Sequence, residues 1–239
     1  MLANYGVSWI KTSTGIAWKL NLADASDRWL VFGDYEGMVQ MNWIRSRLAG
    51  GGVVVDSGAN IGQMLIYVAP MPSVRVYAIE PIPEHIVWLK DCLDACPGWD
   101  VNLIEKGLSR STGNTIIQCI GARSTIQLDW YPDGNFKRIE IPLERLDAIL
   151  AEYGEDTLAL WILDVEGGEE SALEGASGYL ETGRIESILV EALNENSIRL
   201  LRGFGYNFFK LLRNGTLAHL SADSEISATR NVVVLTRHA

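Results

Sequence analysis

Apolar residues in this chain fall into two alternating kinds of run. Val53-Val54-Val55 is a continuous β-branched stretch, the pattern of a strand buried on both faces, and the spacing from Ile61 to Ala69 predicts a helix behind it. Val74 to Ile79 reads as a second strand, Glu84 to Ala95 as a second helix, and Val101 to Glu105 as a third strand. Further along, helices are expected at Leu143 to Tyr153, Glu169 to Leu180 and Glu195 to Phe204, with strands at Leu158 to Leu163 and Ile185 to Val190. Tyr206 to Leu212 and Asn231 to Leu235, joined by a turn at Asn214-Gly215, read as a closing β-hairpin. Repeated strand–helix units predict the α/β class: a doubly wound, mostly parallel sheet with helices on both faces and an antiparallel C-terminal hairpin.

Two regions break the alternation. Residues 1–50 carry short β-like runs near Val7 to Ile10 and Gly15 to Leu20, then a helix opened by Asp34 and running to Leu48, with Gly50-Gly51-Gly52 ending it. They are expected to form an N-terminal extension, a lid or a homodimer surface, ahead of a main domain at 51–239. Large aromatics are usually core residues, so Trp9, Trp18, Trp29 and Trp43 are expected to fill the space between extension and sheet. Within the main domain, residues around 114–142 read as short antiparallel strands with a turn at Pro132-Asp133-Gly134-Asn135, a β insertion beside the sheet.

Charge narrows the partners. Thirty acidic residues against 20 basic ones give a net charge of -10, a field that repels phosphate backbones and anionic lipid surfaces, so neither nucleic acid nor membrane is expected as a partner. No run approaches the roughly 20 apolar residues of a spanning helix. A cytoplasmic protein is expected, with Cys92, Cys96 and Cys119 as reduced thiols. Spacings typical of metal ligands are missing from the sequence, and no metal is expected.

In an open parallel sheet, ligands bind beyond the carboxyl ends of the strands, so chemistry is sought just after each one. After the first comes Asp56-Ser57-Gly58-Ala59-Asn60-Ile61-Gly62, a glycine-bearing turn where Gly58 and Gly62 permit a close approach and helix-start amides can face a polar ligand group. Such a turn can also simply join strand to helix. Asn60 stands where a dinucleotide-binding turn needs its second glycine, which favours a ligand without a pyrophosphate and disfavours a nicotinamide-dependent oxidoreductase. Glu80, directly after the second strand, is placed to accept both hydroxyls of a ribose, and Pro81 and Pro83 fix the exit of the chain.

With Ala78-Ile79-Glu80-Pro81 beside it, that turn resembles the FkbM family of S-adenosylmethionine-dependent methyltransferases. Ile162-Leu163-Asp164-Val165-Glu166-Gly167-Gly168-Glu169, continued by Leu173-Glu174-Gly175-Ala176, is similar to a second family block. Tyr35-Glu36, Leu143-Glu144-Arg145-Leu146-Asp147 and Gly203-Phe204-Gly205-Tyr206 echo it in the family's order. The resemblance implies a Rossmann-like class I domain using S-adenosyl-L-methionine. It implies that Asp56, Gly58, Asn60 and Gly62 surround the methionyl part, that Glu80 and Pro81 lie at the ribose, and that Gly107, Leu108 and Ser109 lie near the adenine. It places Asp164 and Glu166 toward the methyl group and the acceptor.

Methyl transfer from a sulfonium is an in-line displacement that needs alignment and, for a hydroxyl acceptor, a base. Asp164 is expected as the main polar group there, supported by Glu166, although an acidic residue before a helix also caps it. Glu36, His85, Trp130 and Tyr131 are further candidates for touching substrate; a histidine opening a helix, as His85 does, is also a common capping or surface residue. The expected activity is O-methylation of a small molecule, a sugar or secondary metabolite. N-methylation of a peptide side chain or other nitrogen acceptor, and a non-catalytic cofactor-binding or interaction domain, stand as alternatives.

Overall fold

The computed structural model describes residues 6–33, 35–120, 123–125 and 137–236. An antiparallel hairpin, β1 (Val7–Lys11) and β2 (Ala17–Asn21), leads into α1 (Ala25–Phe32) and α2 (Tyr35–Arg47). The alternating units begin with β3 (Gly52–Ser57), α3 (Leu65–Val68), β4 (Val74–Ile79), α4 (Pro83–Asp94) and β5 (Val101–Ile104). A small second sheet follows, built from β6 (Gly107–Leu108), β7 (Gly113–Ile120), β8 (Arg123–Thr125) and β9 (Lys137–Glu144). The chain then runs through α5 (Leu146–Glu152), β10 (Leu160–Leu163), α6 (Glu169–Gly175), α7 (Ser177–Glu181), β11 (Ser187–Val190) and α8 (Glu195–Gly203). It ends in β12 (Asn207–Leu211), β13 (Leu217–Leu220), α9 (Asp223–Ser227) and β14 (Val232–Leu235).

Eight strands form the main sheet in the order β13-β12-β14-β11-β10-β3-β4-β5. β11, β10, β3, β4 and β5 pair in parallel, and β14 runs antiparallel to both of its neighbours. This is the predicted Rossmann-like, mostly parallel sheet. The closing hairpin differs in one respect. The turn at Asn214-Gly215 joins β12 to β13 at the sheet edge, while β14 returns after α9 to slot between β11 and β12. Val232, Val233 and Val234 are fully buried there, so burial on both faces draws this apolar strand inward.

Strand alternation sorts the core into two layers. Val55, Tyr77, Ile79, Trp161, Leu163, Ile188 and Val190 face a layer closed by α5 to α9. Val54, Val76, Ala78, Leu160, Ile162 and Leu189 face the other, which α2, α3, α4 and the N-terminal hairpin cover. Trp18 and Trp43 are buried in this second layer as expected, whereas Trp9 (51% exposed) and Trp29 (57% exposed) are not core residues.

Helix limits depart from the periodicity for local reasons. The helix expected from Glu169 to Leu180 is broken at Ala176, because Asp147 accepts the amide hydrogens of Gly178 (2.9 Å) and Tyr179 (3.1 Å) and so starts α7 afresh. The helix expected from Ile61 becomes regular only at Leu65, since Asn60 (φ 51°) and Gly62 (φ 87°) hold left-handed backbone. The helix expected from Leu143 begins at Leu146, with Leu143 and Glu144 ending β9. α1 has no counterpart in the sequence reading.

Candidate functional site

The parallel strands continue their ladder one residue past their ends. Gly58 N–H donates to Ile79 O (3.0 Å), Glu80 N–H to Ile104 O (3.0 Å), Asp164 N–H to Ser57 O (3.1 Å) and Glu191 N–H to Leu163 O (3.1 Å). Ala78, Asp56, Ile162 and Leu189 stand side by side in register. Two residues further on, the same face carries Glu80, Gly58, Asp164 and Glu191. Three carboxylates therefore line one pleat at the carboxyl edge, with a position lacking a side chain between Glu80 and Asp164, and Asp56 lies one step behind.

Gly58 fills that position by necessity. Its φ is 81°, and a Cβ there would stand 1.8 Å from the carbonyl oxygen of Asp164. The close approach expected of this glycine is real, and the group approaching it is the neighbouring loop. Gly62 is likewise constrained from inside: a Cβ would meet the Trp18 ring at 2.5 Å and Leu89 at 3.0 Å. Trp18 also donates its indole N–H to Ile61 O (2.7 Å), so the N-terminal hairpin sets the shape of the turn.

Glu80 is 3% exposed and organises that turn. Its Oε2 accepts from Asn60 N–H (2.8 Å) and its Oε1 from Ile82 N–H (3.0 Å), with His85 Nδ1 3.2 Å from Oε1. The amide of Asn60, expected to face a ligand, is thus given to Glu80. His85 is buried against Glu80 rather than capping its helix at the surface. Pro81 follows at the rim.

Asp56 is 2% exposed, and its Oδ2 has no hydrogen-bond partner among the described residues. Burial, and then the nearby charge of Glu80, push its carboxyl up to about 7. Asp164 is pushed up to about 8 by the crowding of its surroundings, then by the charges of Glu191, Glu166 and Glu169 and by a hydrogen bond with Glu191. Solvent reaches the Asp164 side chain, so the neighbouring charges carry this direction more firmly than desolvation does.

The loop after β10 is held by Glu169, whose Oε1 accepts from Val165 N–H (3.3 Å) and Gly167 N–H (3.2 Å). Glu166 sits at its exposed crest in left-handed conformation (φ 52°). Glu191 was not singled out from the sequence, where it is one acid after one more strand. The pairing of β11 with β10 brings it beside Asp164, and Arg230 Nη1 donates to its Oε1 (2.7 Å).

Gly107 and Leu108 form β6, with Leu108 in the layer beneath α5 to α9, and Ser109 shares a hydrogen bond with Ser171 of α6 (3.1 Å). Trp130, Tyr131, the turn at 132–135, Asp34 and the side chain of Glu36 lie outside the described residues. A depression of about 860 Å³ lined by Ile16, Met71, Arg75, Cys96 and Trp99 opens at the amino ends of β3 and β4. It faces away from the carboxylate row, and the rule that open α/β sheets bind beyond their carboxyl ends favours the row. Among the described residues no group of three or more histidine, cysteine or acidic side chains is arranged to hold a metal, and no helix is long and apolar enough to cross a membrane.

Several solved structures are similar to this chain. The methyltransferase domain of METTL16 superposes with a TM-score of 0.50 at 10% identity, over 94% of this chain and 74% of that one. An rRNA methylase from Streptococcus thermophilus gives 0.45 at 13% identity, over 82% and 92% of the two chains. A Streptococcus mutans methyltransferase in complex with SAH gives 0.43 at 9% identity, over 82% and 96%. No curated protein matches the sequence. The methyltransferase FkbM domain matches residues 56–208, from the buried aspartate of the first turn to β12. That span is more than half of the chain, and with the sheet just described it makes this protein a member of the FkbM family, an S-adenosylmethionine-dependent methyltransferase.

Proposed function

We propose that the carboxylate row at the ends of β4, β3, β10 and β11 is where the cofactor and acceptor meet, and that the acceptor is a hydroxyl of a neutral or cationic small molecule such as a sugar or secondary metabolite. The observation that carries this reading is the convergence of Glu80, Asp164 and Glu191 at one carboxyl edge of the sheet, with Asp56 buried behind them. The chemistry of the donor set fits an adenosyl sulfonium. Glu80 is held by two backbone amides with acceptor capacity left for a ribose, and the buried Asp56 Oδ2 lacks the donor that an ammonium group would supply.

When bound, the cofactor supplies an electrophilic methyl group. Glu80 holds the ribose hydroxyls, while Asp56, Asn60 and the backbone of the Gly58–Gly62 turn surround the methionyl part. Asp164 orients the acceptor and takes its proton, with Glu166 at the rim as a second carboxylate. Pro81, Gly107, Leu108 and Ser109 border the adenine side. A net charge of -10 and the acidic rim oppose an acceptor that carries phosphates or carboxylates, which argues against a nucleic-acid substrate.

Titration calorimetry with S-adenosylhomocysteine tests the site. Binding is expected for the native protein and for Asp164→Asn, with turnover lost only in the latter, whereas Glu80→Gln binds at least tenfold more weakly. Undiminished affinity in Glu80→Gln removes the assignment.

A further inference from the structure

Asp164 and Glu191 stand at adjacent strand ends, and among the described residues only Glu191 has a cation. Arg230, from the segment leading into β14, donates to Glu191 Oε1 at 2.7 Å, and Asn231 N–H donates to the Glu191 backbone carbonyl at 2.9 Å. The groups around Asp164 are otherwise acidic: Glu191 just after β11, Glu166 in its own loop and Glu169 at the start of α6. The turn after β3 faces it with Gly58, which carries no charge, and Asp56 lies one step behind, buried with an oxygen that no described residue satisfies. Arg230 is committed to Glu191, and no cation among the described residues is paired with Asp164.

We propose that Asp164 and Glu191, with Arg230 as the positioning residue, form one proton-holding pair whose occupancy is set by the charge of the cofactor: emptied when the sulfonium is present and filled when the neutral thioether product remains. The inference rests on the cofactor placement proposed above. Its consequence is a base that is ready only when the methyl donor is bound. In the transfer, an acceptor lone pair forms the new bond to the methyl carbon, the carbon–sulfur bond breaks with its electrons going to sulfur, and the acceptor's proton moves to Asp164. Loss of the positive charge then raises the proton affinity of the pair at the moment the proton arrives. The next sulfonium drives that proton to solvent.

Its crowded surroundings, the neighbouring carboxylates and the hydrogen bond to Glu191 raise the free Asp164 carboxyl to about 8. In general, a unit positive charge at roughly 6 Å from a carboxyl, at an effective dielectric constant near 20, would lower its pKa by about two. At pH 7 this turns a mostly protonated pair into a mostly ionised one.

The test is calorimetry of the whole protein with S-adenosylmethionine and with S-adenosylhomocysteine, each in two buffers of different ionisation enthalpy. At pH 7 the sulfonium ligand is expected to release about 0.8 proton more than the thioether. Protons leaving Asp56 in response to parts the ligands share cancel in this difference. Asp164→Asn abolishes the difference while still binding the thioether, and Arg230→Gln moves its midpoint to higher pH. For the native protein alone, the ratio of thioether to sulfonium dissociation constants rises at least tenfold from pH 6 to pH 8. Equal proton release, or a flat ratio with both ligands bound, overturns the proton-holding pair and leaves the cofactor placement standing. Failure of both ligands to bind overturns both.

Discussion

The carbonyl oxygen of Asp164 occupies the space where Gly58 would carry a Cβ, 1.8 Å from that point. The two loops that shape the candidate site therefore lock through backbone atoms, with no side chain able to yield. Gly58→Ala is expected to push the β10 loop outward and to strain a backbone at φ 81°, costing roughly 1–3 kcal/mol of stability. Thermal melting with and without S-adenosylhomocysteine checks it: the ligand-induced rise in melting temperature should disappear.

Trp18 reaches the same turn from the N-terminal hairpin. It is fully buried and donates to Ile61 O, so Trp18→Ala removes a core aromatic and a hydrogen bond together, at a cost of about 3–5 kcal/mol in chemical denaturation. Trp18→Phe keeps much of the packing and isolates the hydrogen bond, at about 1 kcal/mol. A Trp18→Phe protein with unaltered stability would show that the turn holds its shape without the hairpin.

Asp56 links pH to stability. Its pKa rises from 3.8 to about 7 on folding, so the folded state holds the proton more tightly than the unfolded chain. The stabilisation this gives is complete below about pH 4 and is lost as pH climbs through 7. Asp56→Asn should be more stable than the native protein at pH 8, by roughly 2–4 kcal/mol, with the gap closing near pH 4. The same variant should bind S-adenosylhomocysteine more weakly, and denaturation curves at the two pH values decide the stability part.

His85 lies 3.2 Å from Glu80 Oε1 and is expected to position that carboxylate rather than to act as a base. His85→Leu is expected to weaken S-adenosylhomocysteine binding about fivefold through loss of one hydrogen bond to Glu80, with kcat little changed at saturating cofactor. A large fall in kcat at unchanged affinity would instead place the imidazole at the acceptor.

Asp147 supplies a control far from the row. Asp147→Ala uncovers the amides of Gly178 and Tyr179 and should cost about 1–2 kcal/mol of stability without altering cofactor affinity.

Much of this molecule was legible from residue order. The parallel strands were readable because their β-branched and aliphatic runs admit few other environments, and the place of Glu80 because an acid directly after a strand stands at the carboxyl edge of such a sheet. What escaped depended on contacts between distant segments. Gly62 looks like a residue cleared for a ligand until Trp18, 44 positions earlier, is seen against it. His85 looks like a helix opener until Glu80 turns back to meet it. Glu191 needs the register of β11 against β10, and the break at Ala176 needs Asp147 from another helix. The placement of β14 could not be read because three valines are equally suited to a hairpin edge and to a sheet interior.

That placement bears on how the protein is made. β14 follows β12 and β13 in the chain, yet it separates β11 from β12, and until it arrives the β12–β13 hairpin has no partner in the sheet. The nascent chain must therefore wait with an open seam between two apolar edges. A chain that stopped short of Val232 would expose that seam to aggregation, however complete its carboxylate row.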